Sequence, residues 1–296
     1  MRVTVVVVHR EQARHCVATV GAFRTQEGVE VDVIVVDNGS PTPDLELIRR
    51  ECPDVFLLEL SSNTGFGPAA NAGLAAWLAG RPDQEWVFVS PHDVSPDPDA
   101  LARLMRAGNH APDIGLVSAD VGDHSRQVFD PYFGGMTVAR STQAGTAPVE
   151  VDYPHGTLFG ARRACLSDIG LFDERYFAYC EEADLGARAR GQGWRVVLAT
   201  DAGVRNLHVS PGTPVVDYLQ QRNTIQLVAR HSGLYHAVIR WLIAAGQLGC
   251  GLIGHDRRGY VFHPGARLRA LLDVVRGRTG APPASLVRGG ADGAAA

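Results

Sequence analysis

Six consecutive β-branched residues, Val3 through Val8, stand almost at the start of the chain, and Val31 to Val36 brings a second run rich in Val and Ile. Runs of this length without polar alternation fit strands covered on both faces. Each is followed by a helical pattern, Arg14 to Phe23 and then Asp44 to Glu51. The alternation continues with a strand at Val55 to Leu60, an Ala-rich helix at Pro68 to Leu78, a strand at Trp86 to Ser90 and a helix at Asp99 to Ala107. Pro68 suits a first helical turn, because its missing N–H has no partner there. Strands alternating with helices predict βαβ units, a mostly parallel sheet and right-handed crossovers. In such sheets ligands bind beyond the carboxyl ends of the strands.

Past residue 110 the pattern loosens. Val117 to Pro148 is rich in Gly, Ser, Thr and Asp and predicts short strands with a surface excursion. Gly156 to Ala161 resumes a buried element, Glu181 to Gln192 reads as a helix stopped by Gly193, and Trp194 to Ala199 reads as a strand. Three more helical patterns follow, Val215 to His231, Tyr235 to Ile253 and Ala266 to Arg276, as a C-terminal helical appendage. The Gly/Ala/Pro-rich end, 277–296, is expected to be disordered.

With 296 residues there is length enough for a sizeable core, and a net charge of −4 points away from nucleic acid. All 28 basic residues are arginines, which fits a G+C-rich bacterial genome. Five scattered cysteines without a CxxC pair argue against a zinc site or a disulfide framework and for reduced thiols in the cytoplasm. The stretch from Leu234 to Gly254 holds His236, Arg240, Gln247 and several glycines, which argues against a membrane span. That leaves packing, dimerisation through the C-terminal helices, or peripheral contact with a membrane.

The strand ends carry the candidate chemistry. His9 and Arg10 end the first strand, and Asp37 ends the second, followed by Asn38-Gly39-Ser40. A carboxylate there can accept hydrogen bonds from a nucleobase or ribose, or close a simple Asx turn. Asn63-Thr64-Gly65-Phe66-Gly67 opens a helix whose free N–H groups favour a phosphate. Asn71, further along it, fits either a nucleotide contact or a satisfied core amide. Pro91-His92-Asp93 follows the fourth strand, where Asp93 can reach a hard divalent cation holding a diphosphate. His208, in a late loop, is the candidate second ligand.

Glu181, Glu182 and Asp184 crowd the first turn of their helix. Acids suit that position through the helix dipole, but mutual repulsion raises the proton affinity of at least one and makes it a candidate general base. Glu181 and Asp184 share a helical face; Glu182 points about 100° away. Their roles therefore differ.

The chain resembles glycosyltransferase family 2, inverting enzymes of GT-A fold, and within it a rhamnosyltransferase-like branch. The resemblance runs from Val3 to about His231 and rests on VDNGS (36–40), NTGFGPAANAG (63–73), SPHD (90–93), GTLFGARR (156–163), GLFDERYFAYCEEADL (170–185) and the pair Arg222-Asn223. It implies a GT-A domain over 1–214, with a nucleotide-binding half to about 110 and an acceptor half over 111–214, and a helical region over 215–276. It also implies a UDP- or dTDP-sugar donor, a divalent ion (Mg or Mn), and single displacement with inversion onto a hydroxyl or amine of a polysaccharide, glycolipid or natural product.

By position, the resemblance gives Asp37, with His9, Arg10, Asn38, Asn63, Gly65, Asn71 and His92, to the nucleotide. It gives Asp93 and His208 to the metal, Glu182 to the base, and Glu181 and Asp184 to positioning donor or acceptor. Two positions depart from the family pattern. The usual Glu-Asp-x-Asp reads Glu181-Glu182-Ala183-Asp184, and the usual Asp-x-Asp or Asn-Pro-Asp reads Pro91-His92-Asp93. The alternatives are a sugar nucleotidyltransferase, which should carry a Gly-rich basic loop near its N-terminus, and a non-catalytic nucleotide-sugar binder.

Overall fold

The computed structural model describes residues 1–132, 137–140, 145–207, 212–254 and 261–291, with the backbone alone for 137–140 and 288–291. The first seven elements are β1 (Arg2–His9), α1 (Ala13–Arg24), β2 (Glu30–Asn38), α2 (Thr42–Glu51), β3 (Phe56–Leu60), α3 (Phe66–Gly80) and β4 (Trp86–Pro91). They form the alternating units expected from the sequence. Next come β5 (Val94–Pro96), α4 (Ala100–Gly108), β6 (Ile114–Asp120), β7 (Ser125–Val128), β8 (Thr137–Arg140) and β9 (Val149–Glu150). They are followed by β10 (Phe159–Arg162), α5 (Arg163–Ile169), α6 (Glu181–Gly191) and β11 (Arg195–Asn206). Four helices complete the described chain: α7 (Pro214–Ser232), α8 (Leu234–Leu252), α9 (Pro264–Val275) and α10 (Ala284–Ala291).

The main sheet runs in the order β3-β2-β1-β4-β10-β6-β11-β5, with β9 also on β11. β1, β2, β3 and β4 are mutually parallel, and β10 runs antiparallel between β4 and β6. The alternation of the valines decides which face each helix covers. Val3, Val5 and Val7 pack with α1, Ile48 of α2 and Leu101 and Leu104 of α4. Val6 and Val8 pack with Ala69, Leu74 and Trp77 of α3 and with Leu166 and Leu185 of α5 and α6 on the other face. Full burial of each such side chain contributes about 1.5–3 kcal/mol. Gly73 lets α3 lie close on β1, since a Cβ there would stand 2.4 Å from Val6 Cγ1.

Two compact units emerge. The first holds Met1–Val128, Val138–Asp173 and Glu182–Val209; the second holds Phe129–Thr137, Glu174–Glu181 and Ser210–Ala296. Two internal segments thus group with the C-terminal helices, whereas the expected domains, 1–214 and 215–276 with a tail over 277–296, were each continuous in sequence. Tertiary packing, invisible in a linear pattern, draws them there: Phe177, Ala178 and Tyr179 pack against Tyr218, Leu219 and Ala270.

The segment from Gly277, expected to be disordered, instead carries structure. Gly280 N donates to Arg175 O at 2.8 Å, Arg222 Nη2 donates to Gly280 O at 2.6 Å, and α10 follows. Residues 292–296 lie outside the described chain. β6 is a fully buried central strand that reaches into the stretch 117–148, where short strands and a surface excursion were expected, and its short polar residues Ser118 and Asp120 find partners at the strand end.

Candidate functional site

β1 pairs with β2 on one side and β4 on the other, while the chain passes from β3 back across to β4. The carboxyl ends of β1, β2 and β4 therefore flank the point where the strand order reverses, where an open α/β sheet has its ligand crevice. His9 and Asp37 sit opposite each other in register there. His9 Nδ1 lies 2.9 Å from Asp37 Oδ1, and Ser40 N donates to Asp37 Oδ2 at 3.0 Å. Burial pushes the Asp37 carboxyl up, but the bonds from His9 and Ser40 outweigh it and hold the group below the usual carboxylate range.

Asn38 organises the next loop. Its Nδ2 donates to Asn63 Oδ1 (3.1 Å) and Gly65 O (2.9 Å), and its Oδ1 accepts from Thr64 N at 2.8 Å. Gly39 has φ 77°, and a Cβ on it would meet the backbone of Ser62 at 2.6 Å, so the two loops can touch only through glycine. Gly65, at φ 100°, then turns the chain into α3. Asn71 takes the core role: its Nδ2 donates to Phe172 O and its Oδ1 accepts from Phe172 N, both at 2.9 Å. Its amide thus ties α3 to the segment before α6. Arg10 is exposed beside Glu11.

After β4 the chain passes through His92 and Asp93. The His9 and His92 rings meet edge to face, with centroids 5.2 Å apart. Burial, and then the neighbouring His9, push the His92 imidazole below its ordinary pKa, so it is neutral near pH 7. Buried Nε2 atoms of both rings make no hydrogen bond among the described residues. Asp93 is half-buried, and its carboxylate has no hydrogen bond or ion pair among the described residues, while Leu207 N donates to its carbonyl at 2.7 Å. His208, the expected second ligand, lies outside the described residues. Among the described residues, no three His, Cys, Asp or Glu side chains gather as a cage for a metal.

The acids of α6 divide as helical geometry requires. Glu181 and Asp184 are buried, whereas Glu182 is half-buried. Asp184 is fully enclosed and accepts from Arg188 Nε at 2.7 Å, and Arg188 also holds Leu171 O at 2.8 Å. That carboxylate, through Arg188, fastens the segment ahead of α6. Glu182 titrates at about 6, raised from 4.5. The main cause is burial. Glu182 Oε1 lies over Gly156, 3.6 Å from where a Cβ would be. The adjoining Thr157 O accepts from Ser90 Oγ of β4 at 3.1 Å. One continuous set of contacts therefore links Asp37, His9 and His92 to the end of β4, to the Gly156-Thr157 loop and to Glu182.

Sequence reasoning missed Thr19 and Ser40. Thr19, buried in α1, has its hydroxyl 2.7 Å from His92 O and 2.9 Å from Val94 O, and accepts from Val94 N at 3.1 Å, which fixes the loop bearing Asp93. Its one sequence signal is a lone hydroxyl on the apolar face of a helix. Ser40 accepts from Glu11 N at 2.8 Å and so joins the loops after β1 and β2.

Comparison with known proteins agrees with this geometry. The family described as "Glycosyltransferase like family 2" matches residues 1–224. A curated N-acetylglucosaminyl-diphospho-decaprenol L-rhamnosyltransferase of Mycobacterium tuberculosis is 31% identical over 244 residues, 72% of this chain and 80% of the relative. Among solved structures, a mannosyltransferase of Pyrobaculum calidifontis in complex with GDP-Man and Mn2+ matches with a TM-score of 0.60 at 18% identity, over 93% of this chain and 87% of that one. GalNAc-T7 with UDP, GalNAc and Mn2+ matches with a TM-score of 0.60 at 14% identity, over 77% of this chain and 47% of that one. These likenesses show the GT-A fold. With its family model spanning three quarters of its length and a relative above 30% identity, the chain belongs to glycosyltransferase family 2 and is a glycosyltransferase.

Proposed function

We propose that this transferase moves a sugar, with rhamnose as the first candidate, from a UDP- or dTDP-sugar to a hydroxyl of a glycan carried on a lipid diphosphate, with inversion at the anomeric carbon. The name of the M. tuberculosis relative motivates both the sugar and the acceptor class. The observation that carries the reading is Glu182, a half-buried carboxylate raised to about 6 and linked through the Gly156-Thr157 loop to the strand ends bearing Asp37 and Asp93.

In this mechanism Glu182 accepts the acceptor hydroxyl proton as that oxygen attacks the anomeric carbon, and the bond from that carbon to the donor phosphate oxygen breaks. A base whose pKa lies just below the working pH is ionised yet still basic enough to take the proton. Asp37, preorganised by His9 and Ser40, accepts hydrogen bonds from the nucleoside. Asp93 fits a hard divalent ion: it is a half-buried carboxylate without a hydrogen bond or ion pair among the described residues, and such ions use one or two carboxylates plus substrate phosphates rather than a protein cage. When bound, Mg or Mn would neutralise charge on the leaving diphosphate. His92, neutral beside it, would contact diphosphate oxygens as a hydrogen-bond donor.

Thermal shift against nucleotides and nucleotide sugars, with and without manganese, tests the donor. Radiolabelled transfer from dTDP-rhamnose and UDP-sugars to a lipid-diphosphate-linked N-acetylglucosamine tests the reaction. Absence of transfer from every donor that raises the melting temperature would overturn the acceptor class.

A further inference from the structure

In the second unit, α8 reverses the usual distribution of charge on a helix. Its 19 residues hold one charged side chain, Arg240, and that one is turned inward. Arg240 is 6% exposed, and its enclosed Nε and Nη1 make no hydrogen bond among the described residues. Ala237, Ala244 and Leu248 are buried as well and pack with Ile225 and Val228 of α7 and Leu271 of α9. Facing outward are Leu234, Tyr235, Val238, Leu242 and Leu252, which are 77, 71, 57, 58 and 64% exposed. Gly246, Gly249 and Cys250 are exposed with them. At about 100° per residue these positions share one uncharged arc of about 160°. A surface helix ordinarily keeps its charges outside and its apolar stripe inside. An outer face of the opposite kind marks a contact surface.

The order of side chains along that arc points to its occupant. The large residues Leu234, Tyr235 and Val238 lie in the N-terminal half of α8, the small residues Gly246, Gly249 and Cys250 in the C-terminal half, and Leu242 midway. Turned end for end about Leu242, a second α8 sets Leu234 opposite Cys250, Tyr235 opposite Gly249 and Val238 opposite Gly246. Both glycines are open, since a Cβ on either would meet nothing within 4 Å. Large on small at each level is the self-complementarity that a two-fold interface requires. Parallel pairing would instead stack the large residues on their own copies and leave glycine facing glycine. The five large side chains together expose about 600 Å², and the small residues add to this, which approaches the roughly 800 Å² per partner of a stable interface. A helix lying on a bilayer keeps its cations on the polar face at the headgroups, whereas the one cation of α8 is enclosed in protein.

We infer that this face binds a second copy of the chain, as an antiparallel two-fold pair of α8 helices centred on Leu242. The inference does not depend on which donor or acceptor the enzyme uses.

Sedimentation equilibrium of the full chain under reducing conditions is the test. A reversible dimer is expected, with a dissociation constant in the micromolar range or tighter. Gly246→Leu fills the hollow that receives Val238 and should weaken the dimer at least tenfold. Its melting temperature, taken at a dilution where wild type is monomeric, should not fall, because glycine is a poor helix former. Val238→Glu should weaken the dimer to the same degree. Cross-linking under a mild oxidant reads the register. Leu242→Cys combined with Cys250→Ser should give a covalent dimer, and so should Leu234→Cys with the native Cys250. Wild type should not, because the pairing sets the two Cys250 residues about 24 Å apart along the helices. The inference is overturned if the chain stays monomeric well above micromolar concentration, or if Gly246→Leu and Val238→Glu leave the dimer intact. Ready cross-linking of wild type through Cys250 would overturn the antiparallel arrangement. A monomer that sediments with phosphatidylglycerol vesicles, and ceases to do so as Val238→Glu, would make the face a bilayer contact and overturn the inference equally.

Discussion

His9 Nδ1 stands 2.9 Å from Asp37 Oδ1, joining the ends of two parallel strands that also face each other in register. Both side chains are almost fully buried. The pair therefore preorganises a carboxylate at the mouth of the sheet, and its geometry leads to the first of four predictions.

Asp37→Asn should weaken nucleotide binding at least tenfold by calorimetry and destabilise the fold by about 1–3 kcal/mol, the usual penalty for breaking a buried charged hydrogen bond. The pH dependence follows from the depressed carboxyl of Asp37. Its folded pKa lies below its unfolded value near 4, so its contribution is full above that value and vanishes as pH falls through the folded pKa. Melting curves of wild type and Asp37→Asn should draw together as the pH is lowered below the ordinary carboxylate range. A gap that persists there would mean that the carboxylate charge is not what stabilises the site.

Glu182→Gln should lower kcat by at least about 10² with little change in donor affinity. In wild type, kcat/KM should rise with an apparent pKa near 6. Stability should move the other way. Glu182 titrates higher folded than unfolded, about 6 against 4.5, so the folded state loses stability as pH rises through that window. The difference corresponds to about 2 kcal/mol, and Glu182→Gln should melt above wild type at pH 8 but not at pH 4. Unchanged turnover would remove this carboxylate from the base role.

Asn223 Nδ2 donates to Ala178 O and Tyr179 O at 2.8 and 3.0 Å, and the residues that follow, Tyr179 and Cys180, hold φ of 69° and 75°. Two non-glycine residues in the left-handed region store strain that neighbouring bonds must hold. This corner leads directly into α6 and Glu182. Asn223→Ala should destabilise by about 1–3 kcal/mol and lower kcat more than it raises donor KM. Asn223→Asp, which keeps the shape but lacks the amide donor, should not rescue activity. Full rescue would locate the role in packing alone.

Removal of divalent ions by chelation should abolish at least about 99% of transfer, because the ion offsets the charge developing on the leaving diphosphate. Asp93→Asn should raise the manganese concentration needed for half-maximal activity while leaving the melting temperature of the ion-free protein unchanged, since the Asp93 carboxylate has no hydrogen bond or ion pair among the described residues. Full activity in chelator would exclude Asp93 as an ion ligand.

Much of the first unit was legible in the chain. The valine runs of β1 and β2 announce two-sided burial, and the observed split of odd and even valines between two helical layers is the period of two made physical. Asp37, Asn38 and Asn63 were legible because polar residues directly after such runs must sit at strand ends. For Asn71 the core-amide reading was one of two the chain allowed, but its partner Phe172, 101 residues away, was not legible.

Sequence alone determined the alternation of strands and helices, the residue types at the strand ends, and the separation of Glu182 from Glu181 and Asp184 by helical angle, because these follow from local periodicity. Only the tertiary structure decided that burial lifts Glu182, and that Thr19 anchors the loop of Asp93. It also decided that residues 174–181 group with the C-terminal helices. Those outcomes depend on which distant atoms exclude water or accept a hydrogen bond, and neighbours along the chain carry no record of that.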